Sequence, residues 1–177
     1  MTTLSWLIEL LKEDGFSERG RVIAYSRPTL GRTPRSRNPD FITPMSKPDL
    51  PAVERLDHAA FAPPWQMDSD ALQATFHRSV VSILYHTQNR LSGYLMATAT
   101  PQGIHITRVA VHPDEQRKGI GRAMILHLLD VGYRRGAPRI TVNTQTENQH
   151  SRQLYGSLGF SEMRETYPVF HSDLPGG

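Results

Sequence analysis

The chain contains no cysteine, which removes disulfides, thiolate nucleophiles and thiolate metal clusters from consideration. No apolar stretch approaches the roughly 20 residues needed to cross a bilayer, so no membrane partner is expected. The stretch from Leu4 to Lys12 has neither a basic start nor a small-residue cleavage site, so it does not read as a secretory signal. A cytoplasmic location is the expectation. None of the 8 histidines forms the His-x-x-x-His helical pair with a glutamate that zinc hydrolases use, and no metal site is expected. The Gly-x-Ser-x-Gly elbow of serine hydrolases is missing, as is the Gly-Lys-Ser or Gly-Lys-Thr of nucleoside-triphosphate loops. Charge of one sign does not dominate either: a net charge of +3 implies no obligate nucleic-acid partner. Arg27, Arg32, Arg35 and Arg37 cluster around a proline-rich stretch over 28–39 with no interleaved aromatic, the composition of a solvated linker.

What is present is ordinary globular usage, with 177 residues and 38% apolar content suiting one core. The most informative run is 104–122. A β-branched segment, Ile104 to Val111, is stopped by Pro113; a short polar loop follows, and Gly119 and Gly121 open an apolar-periodic helix. Backbone N–H groups at a helix start have no intrahelical partner and carry the positive end of the dipole, so this is an anion site. Glycine removes the Cβ atoms that would keep a ligand away, and Arg117, Lys118 and Arg122 add charge for more than one phosphate. The dinucleotide fingerprint is excluded, because its third glycine would fall at Met124.

Around this run the periodicities predict an N-terminal helix with Leu4, Leu7, Ile8 and Leu11 on one face, and strands over 21–26 and 41–45. A helix from Lys47 follows, with Leu50, Val53, Leu56 and Ala60 on one face; it breaks at Phe61-Ala62-Pro63-Pro64-Trp65, and Asp68 caps another helix. A hairpin spans 80–100, with the strand from Ile104 after it. The glycine-led helix then ends near Arg134 and Arg135. A strand over 140–144, a helix over 149–158 and a final strand over 160–170 complete the order, which is that of a mixed α/β fold. Strict alternation puts His105, Thr107, Val109 and Val111 on one face of their strand and Ile104, Ile106, Arg108 and Ala110 on the other. Gly15-Phe16-Ser17-Glu18 recurs as Gly159-Phe160-Ser161-Glu162, each copy after a helix and before a strand. The echo is either the remnant of a second unit or a decorative helix and strand.

Gln116-x-x-Gly119-x-Gly121, followed by Asn148-x-x-Ser151-x-x-Leu154-Tyr155-x-x-x-Gly159-Phe160, resembles the GNAT superfamily of acyl-CoA-dependent N-acetyltransferases over about residues 41–170. The resemblance implies a mostly antiparallel central sheet splayed at the cofactor site, with helices on both faces. The acetyltransferase domain would occupy 41–177, preceded over 1–40 by the helix, strand and linker. It implies acetyl-CoA as co-substrate and a primary amine, on a small molecule or a protein N-terminus, as acceptor attacking directly in a ternary complex. The coenzyme diphosphate would sit on Gln116, Arg117, Lys118, Gly119, Ile120, Gly121 and Arg122. The pantetheine amides would pair like an added strand with Val109, Ala110 and Val111.

By the same resemblance, Asn148 holds the pantetheine arm, with Ser151 beside it, and Tyr155 donates to the leaving sulfur; read locally, Asn148 is an N-cap of the helix that follows, which is compatible with the first role, and Tyr155 a ring packed in the core. His105 lies five residues before Ala110, where histone-acetylating members carry a glutamate and arylalkylamine-acetylating members a histidine. It is the candidate base, with His112 the alternative. Members that acetylate N-terminal alanines of ribosomal proteins carry a carboxylate at the place of Asn143, which cannot be a base; yet Phe61 to Trp65 is similar to their Phe-x-x-Pro-Trp. Phe61 and Trp65 either line the acceptor groove or pack in the core. A homodimer is common among similar enzymes, although no heptad or apolar stripe demands it. The competing reading is a non-catalytic acyl-CoA-binding or regulatory module that keeps the phosphate loop without the chemistry.

Overall fold

A computed structural model describes residues 5–29, 39–88 and 90–172. Its helices are α1 (Ser5–Glu13), α2 (Leu50–Ala60), α3 (Ser69–Arg78), α4 (Ile120–Arg134) and α5 (Gln149–Ser157). The strands are β1 (Phe16–Pro28), β2 (Ile42–Pro44), β3 (Ser79–Thr87), β4 (Arg90–Thr100), β5 (Gly103–Val111), β6 (Arg139–Gln145) and β7 (Ser161–Ser172). All seven strands form one sheet in the order β2-β3-β4-β5-β6-β1-β7, antiparallel at every pair except β5 with β6. Leu4 and most of the proline- and arginine-rich stretch, over 30–38, lie outside the described residues.

Helices cover both faces of the sheet because the strands bury side chains on both. On β4, Leu95 and Ala97 join Met124, Ile125, Leu128 and Leu129 of α4 in one cluster. Tyr94 and Met96 join Val53 and Leu56 of α2 and Leu72 of α3 in the other. The expected capping of α3 is observed, with Asp68 accepting from Ala71 N–H at 2.8 Å. On α1 the apolar face is only partly covered: Leu7 and Leu10 are exposed, and Trp6 keeps 60% of its surface.

Two departures from the sequence pattern matter. First, β1 runs well past the expected 21–26 at both ends, because it is paired on both sides, with β6 through Val22↔Gln145 to Pro28↔Arg139 and with β7 from Phe16↔Ser172. The N-terminal strand is thus an interior strand of the same sheet from Val22 on, and the ladder with β7 alone extends it back through a Glu-Arg-Gly-Arg stretch of poor β propensity. The two Gly-Phe-Ser-Glu copies are alike locally: Gly15 (φ +81°) and Gly159 (φ +80°) each end a helix in the left-handed region before a strand, and those strands are neighbours.

Second, strict alternation on β5 fails. The register passes from Met96↔Arg108 to Ala97↔Ile106, which leaves Thr107 as an extra residue. One added residue swaps the faces beyond it. Ile104 and Ile106 therefore share a core with Val109 and Val111, whereas Ala110 belongs to the cluster under α2.

Candidate functional site

The site begins where β5 and β6 part. They pair in parallel only at Ile104↔Ile140, His105↔Thr141 and Ile106↔Val142, while β5 stays paired with β4 as far as Gly93↔Val111. Among the described residues, the β6-facing edge of β5 has no strand partner from Thr107 to Val111. Two connected mouths open into this split. A cleft of about 800 Å³ is bounded by Val109 to Val111, the loop 116–119 with the first turn of α4, and the first turns of α5. A smaller one of about 210 Å³ is bounded by Phe61, Trp65, Arg108, Asn143 and Gln145. Phe61, Val109, Asn148, Ser151 and Tyr155 line both.

At the larger mouth the ligand-facing groups are backbone. The hydrogen-bond ladder of α4 starts with Ala123 N–H donating to Gly119 C=O at 2.9 Å. Among the described residues, no acceptor takes the N–H groups from Arg117 to Arg122. Gly119 is the N-cap at φ +83°, a conformation costly for any residue with a Cβ. Gly121 serves differently: a Cβ there would meet only Leu154 Cδ2 at 3.4 Å and Val111 Cγ2 at 3.7 Å, so the fold itself does not demand glycine. Gln116 clips the loop to the strand end, its Nε2 donating to Val111 C=O at 3.2 Å. The cations at this mouth are exposed. Lys118 pairs with Glu115 at 3.2 Å, and Arg122 Nη1 donates to Ser157 Oγ at 3.1 Å.

On α5, Asn148 is the N-cap, its Oδ1 accepting from Ser151 N–H at 3.0 Å; capping leaves its amide nitrogen beside the cleft. Tyr155 is buried against Tyr25 and Phe160, with ring centroids 5.7 and 5.8 Å away. Burial pushes its phenol up to about 12, with the Ser151 hydroxyl opposing the shift, so the hydroxyl is protonated at neutral pH.

The structure does not bring His105 into the cleft. It sits at the closed end of the split, paired with Thr98 and Thr141, its Nδ1 2.9 Å from Thr141 Oγ1. Burial holds its imidazole below the ordinary histidine range. His112 also faces elsewhere, with Nε2 3.1 Å from Arg90 Nη2. Among the described residues lining the smaller mouth there is no carboxylate and no imidazole.

Sequence reasoning missed the group that builds the smaller mouth. Asp57, fully buried on α2, accepts from Arg108 Nε at 2.7 Å and Nη2 at 2.8 Å, from Met67 N–H at 2.9 Å and from the Tyr94 hydroxyl. Burial alone would raise the Asp57 carboxyl, but the hydrogen bonds from Arg108, Tyr94 and Met67 outweigh it and hold the group below the usual range. Arg108 Nη2 also donates to Trp65 C=O at 2.6 Å, and its guanidinium carbon lies 3.6 Å from the Phe61 ring centre. One side chain therefore ties β5 to α2 and to the Phe61–Trp65 segment. The available signal was an aspartate four residues after Val53, on an otherwise apolar helix face.

The model of the Acetyltransferase (GNAT) family matches residues 50–160. The chain is 31% identical over 135 residues to the [ribosomal protein bS18]-alanine N-acetyltransferase of Escherichia coli K12, covering 72% of this chain and 87% of that one. The crystal structure of the ribosomal-protein-S18-alanine N-acetyltransferase from Escherichia coli superposes with a TM-score of 0.64 at 27% identity, over 69% of this chain and 77% of that one. AAC(6')-Iy, solved in complex with the bisubstrate analog CoA-S-monomethyl-acetylneamine, has a TM-score of 0.59 at 18% identity, over 70% and 92% of the two chains. A splayed mixed sheet, a helix start with unpaired amides and these matches agree: the chain belongs to the GNAT family of N-acetyltransferases.

Proposed function

We propose that the protein transfers the acetyl group of acetyl-CoA to a primary amine by direct attack in a ternary complex, with acetyl-CoA entering the larger mouth and the amine the smaller one. One observation carries the reading: the parting of β5 from β6 leaves an unpaired strand edge leading from a loop of free amides to a tyrosine that both mouths share. The GNAT family uses acetyl-CoA, and the CoA-containing analog in AAC(6')-Iy supports the same donor here. The diphosphate is held by the amides from Arg117 to Arg122 and the surrounding cations. The pantetheine amides pair with the open edge of Val109 to Val111, and the Asn148 amide nitrogen reaches the same arm.

The neutral amine nitrogen attacks the thioester carbonyl carbon and a C–N bond forms; the C–S bond breaks as the tetrahedral intermediate collapses, and the surplus proton on nitrogen passes through water to the departing sulfur or to solvent. Tyr155 acts on the departing sulfur. A phenol near 12 facing a thiol near 8.5 makes full proton transfer uphill by about 5 kcal/mol, so Tyr155 stabilises the thiolate by donating a hydrogen bond rather than by giving up its proton. With no carboxylate or imidazole among the described lining residues, the incoming ammonium loses its proton to water before attack. His105, at the closed end, takes no part in this reaction.

The test is release of CoA thiol from acetyl-CoA across a panel of amines and peptides, with the acetylated product identified by mass. Turnover on at least one acceptor, greatly slowed by Tyr155→Phe, is expected. Tight acetyl-CoA binding without turnover on any acceptor would instead support a non-catalytic acyl-CoA-binding module.

A further inference from the structure

The buried pair at the smaller mouth is unusual in being only half used by the protein. Arg108 has five N–H donors. Nε and one Nη2 hydrogen go to Asp57, and the other Nη2 hydrogen goes to Trp65 C=O. Nη1 has no partner among the described residues, and it is not sealed away from solvent. Arg108 lines the smaller cleft, with 14% of its side chain accessible. Its guanidinium cannot swing: a bidentate carboxylate grips one edge and the Phe61 ring lies against its face. The two Nη1 donors thus belong to a fixed side chain that lines the cleft proposed for the attacking amine. Such donors select an oxygen.

Resting on the acetyl-transfer reading above, we infer that Arg108 binds the acceptor through Nη1, taking the carbonyl oxygen on the carbon next to the reacting amine, so that the substrate class is an α-aminoacyl amide, the N-terminus of a peptide. A plain alkylamine offers no such oxygen. A free amino acid offers a carboxylate, but Asp57 already matches the charge of Arg108, so the pair is neutral overall and suits a neutral carbonyl better than an anion. The same neutrality removes the repulsion that a bare guanidinium would exert on an incoming ammonium. Arg108 is a specificity-determining residue; the bond-making still occurs at the thioester.

The experiment compares kcat/KM, expressed per neutral amine, for L-alaninamide, L-alanine and 2,2-difluoroethylamine, a weakly basic amine without a carbonyl. Each is measured with the native chain, with Arg108→Lys, which keeps a cation against Asp57, and with the neutral double variant Asp57→Asn/Arg108→Gln. The native protein should prefer alaninamide to difluoroethylamine by about 10- to 100-fold, the worth of a hydrogen bond to a charged group. It should also prefer alaninamide to alanine. In whichever variant folds, the first preference should fall to within about threefold, with acetyl-CoA affinity unchanged. A purely structural Arg108 would lower all three rates together and leave the ratios alone, which would overturn the inference, as would a native preference for difluoroethylamine or for alanine. If acetyl-CoA binds but none of a wide panel of amines is acetylated, the acetyl-transfer reading falls and this inference with it. If amines are acetylated without regard to a neighbouring carbonyl, the inference falls alone.

Discussion

The two mouths of the split are built from different materials. The larger one offers backbone: free amides at a helix start, an unpaired strand edge and an N-cap. The smaller one offers side chains locked in a buried network, with Asp57, Tyr94, Arg108, Phe61 and Trp65 drawn from three separate stretches of chain. A backbone site needs only local geometry and tolerates much change in side chains, which fits the coenzyme role proposed for the larger mouth. A side-chain site must be assembled by the fold and can be altered residue by residue, which fits the acceptor role proposed for the smaller one.

That contrast can be tested at five positions, taken from the largest expected effect to the smallest. Asp57→Ala strips the Arg108 guanidinium, the Tyr94 hydroxyl and the Met67 N–H of their shared acceptor in the core. Removing one partner of a buried pair costs about 3–5 kcal/mol, which urea unfolding would register as a large drop in midpoint. Tyr155→Phe leaves the packing against Tyr25 and Phe160 in place, yet kcat should fall about 100-fold, the scale of one positioned donor to a leaving group. Its acetyl-CoA dissociation constant, read by calorimetry, should stay within about twofold.

The paired glycines sharpen the comparison inside the larger mouth. Gly121→Ala meets only ordinary contacts, so its unfolding curve should overlay that of the native chain while acetyl-CoA binding weakens about tenfold, or about 1.4 kcal/mol. Gly119→Ala, at φ +83°, should by contrast lose about 1–2 kcal/mol of stability from backbone strain. The smallest effect concerns His105. Burial lowers its folded pKa below the unfolded value, so the folded state binds fewer protons, and stability that is full above the unfolded pKa near 6.5 declines as pH falls below it. His105→Gln should flatten that decline in thermal melts between pH 7 and 5 without altering the pH dependence of kcat/KM. The acidic limb of that profile should instead track the acceptor, moving upward when an α-amine is replaced by an alkylamine of higher pKa.

Legibility in the sequence follows the same division. Gly119 and Gly121 at the opening of an apolar-periodic helix mark the helix start, and Asn148 reads as an N-cap, because both features are set by neighbours a few residues away. The β5 bulge leaves no such mark. Thr107 is an ordinary strand residue, and only pairing with Met96 and Ala97 of β4 makes it supernumerary, so alternation put Arg108 and Ala110 on the face of Ile104 and Ile106. The same holds for β1, whose 13 residues become strand through ladders with β6 and β7 that lie more than 100 residues away in the chain. Arg108 and Asp57 are 51 residues apart, and no local period links them.

The most direct test of the central assignment is an amide-resolved NMR titration of the ¹⁵N-labelled protein with CoA. Large shifts of the backbone signals from Arg117 to Arg122 and of Val109 to Val111, saturating together, are the expected result. Saturable binding that leaves those amides unmoved, with the shifts gathered elsewhere, would contradict it.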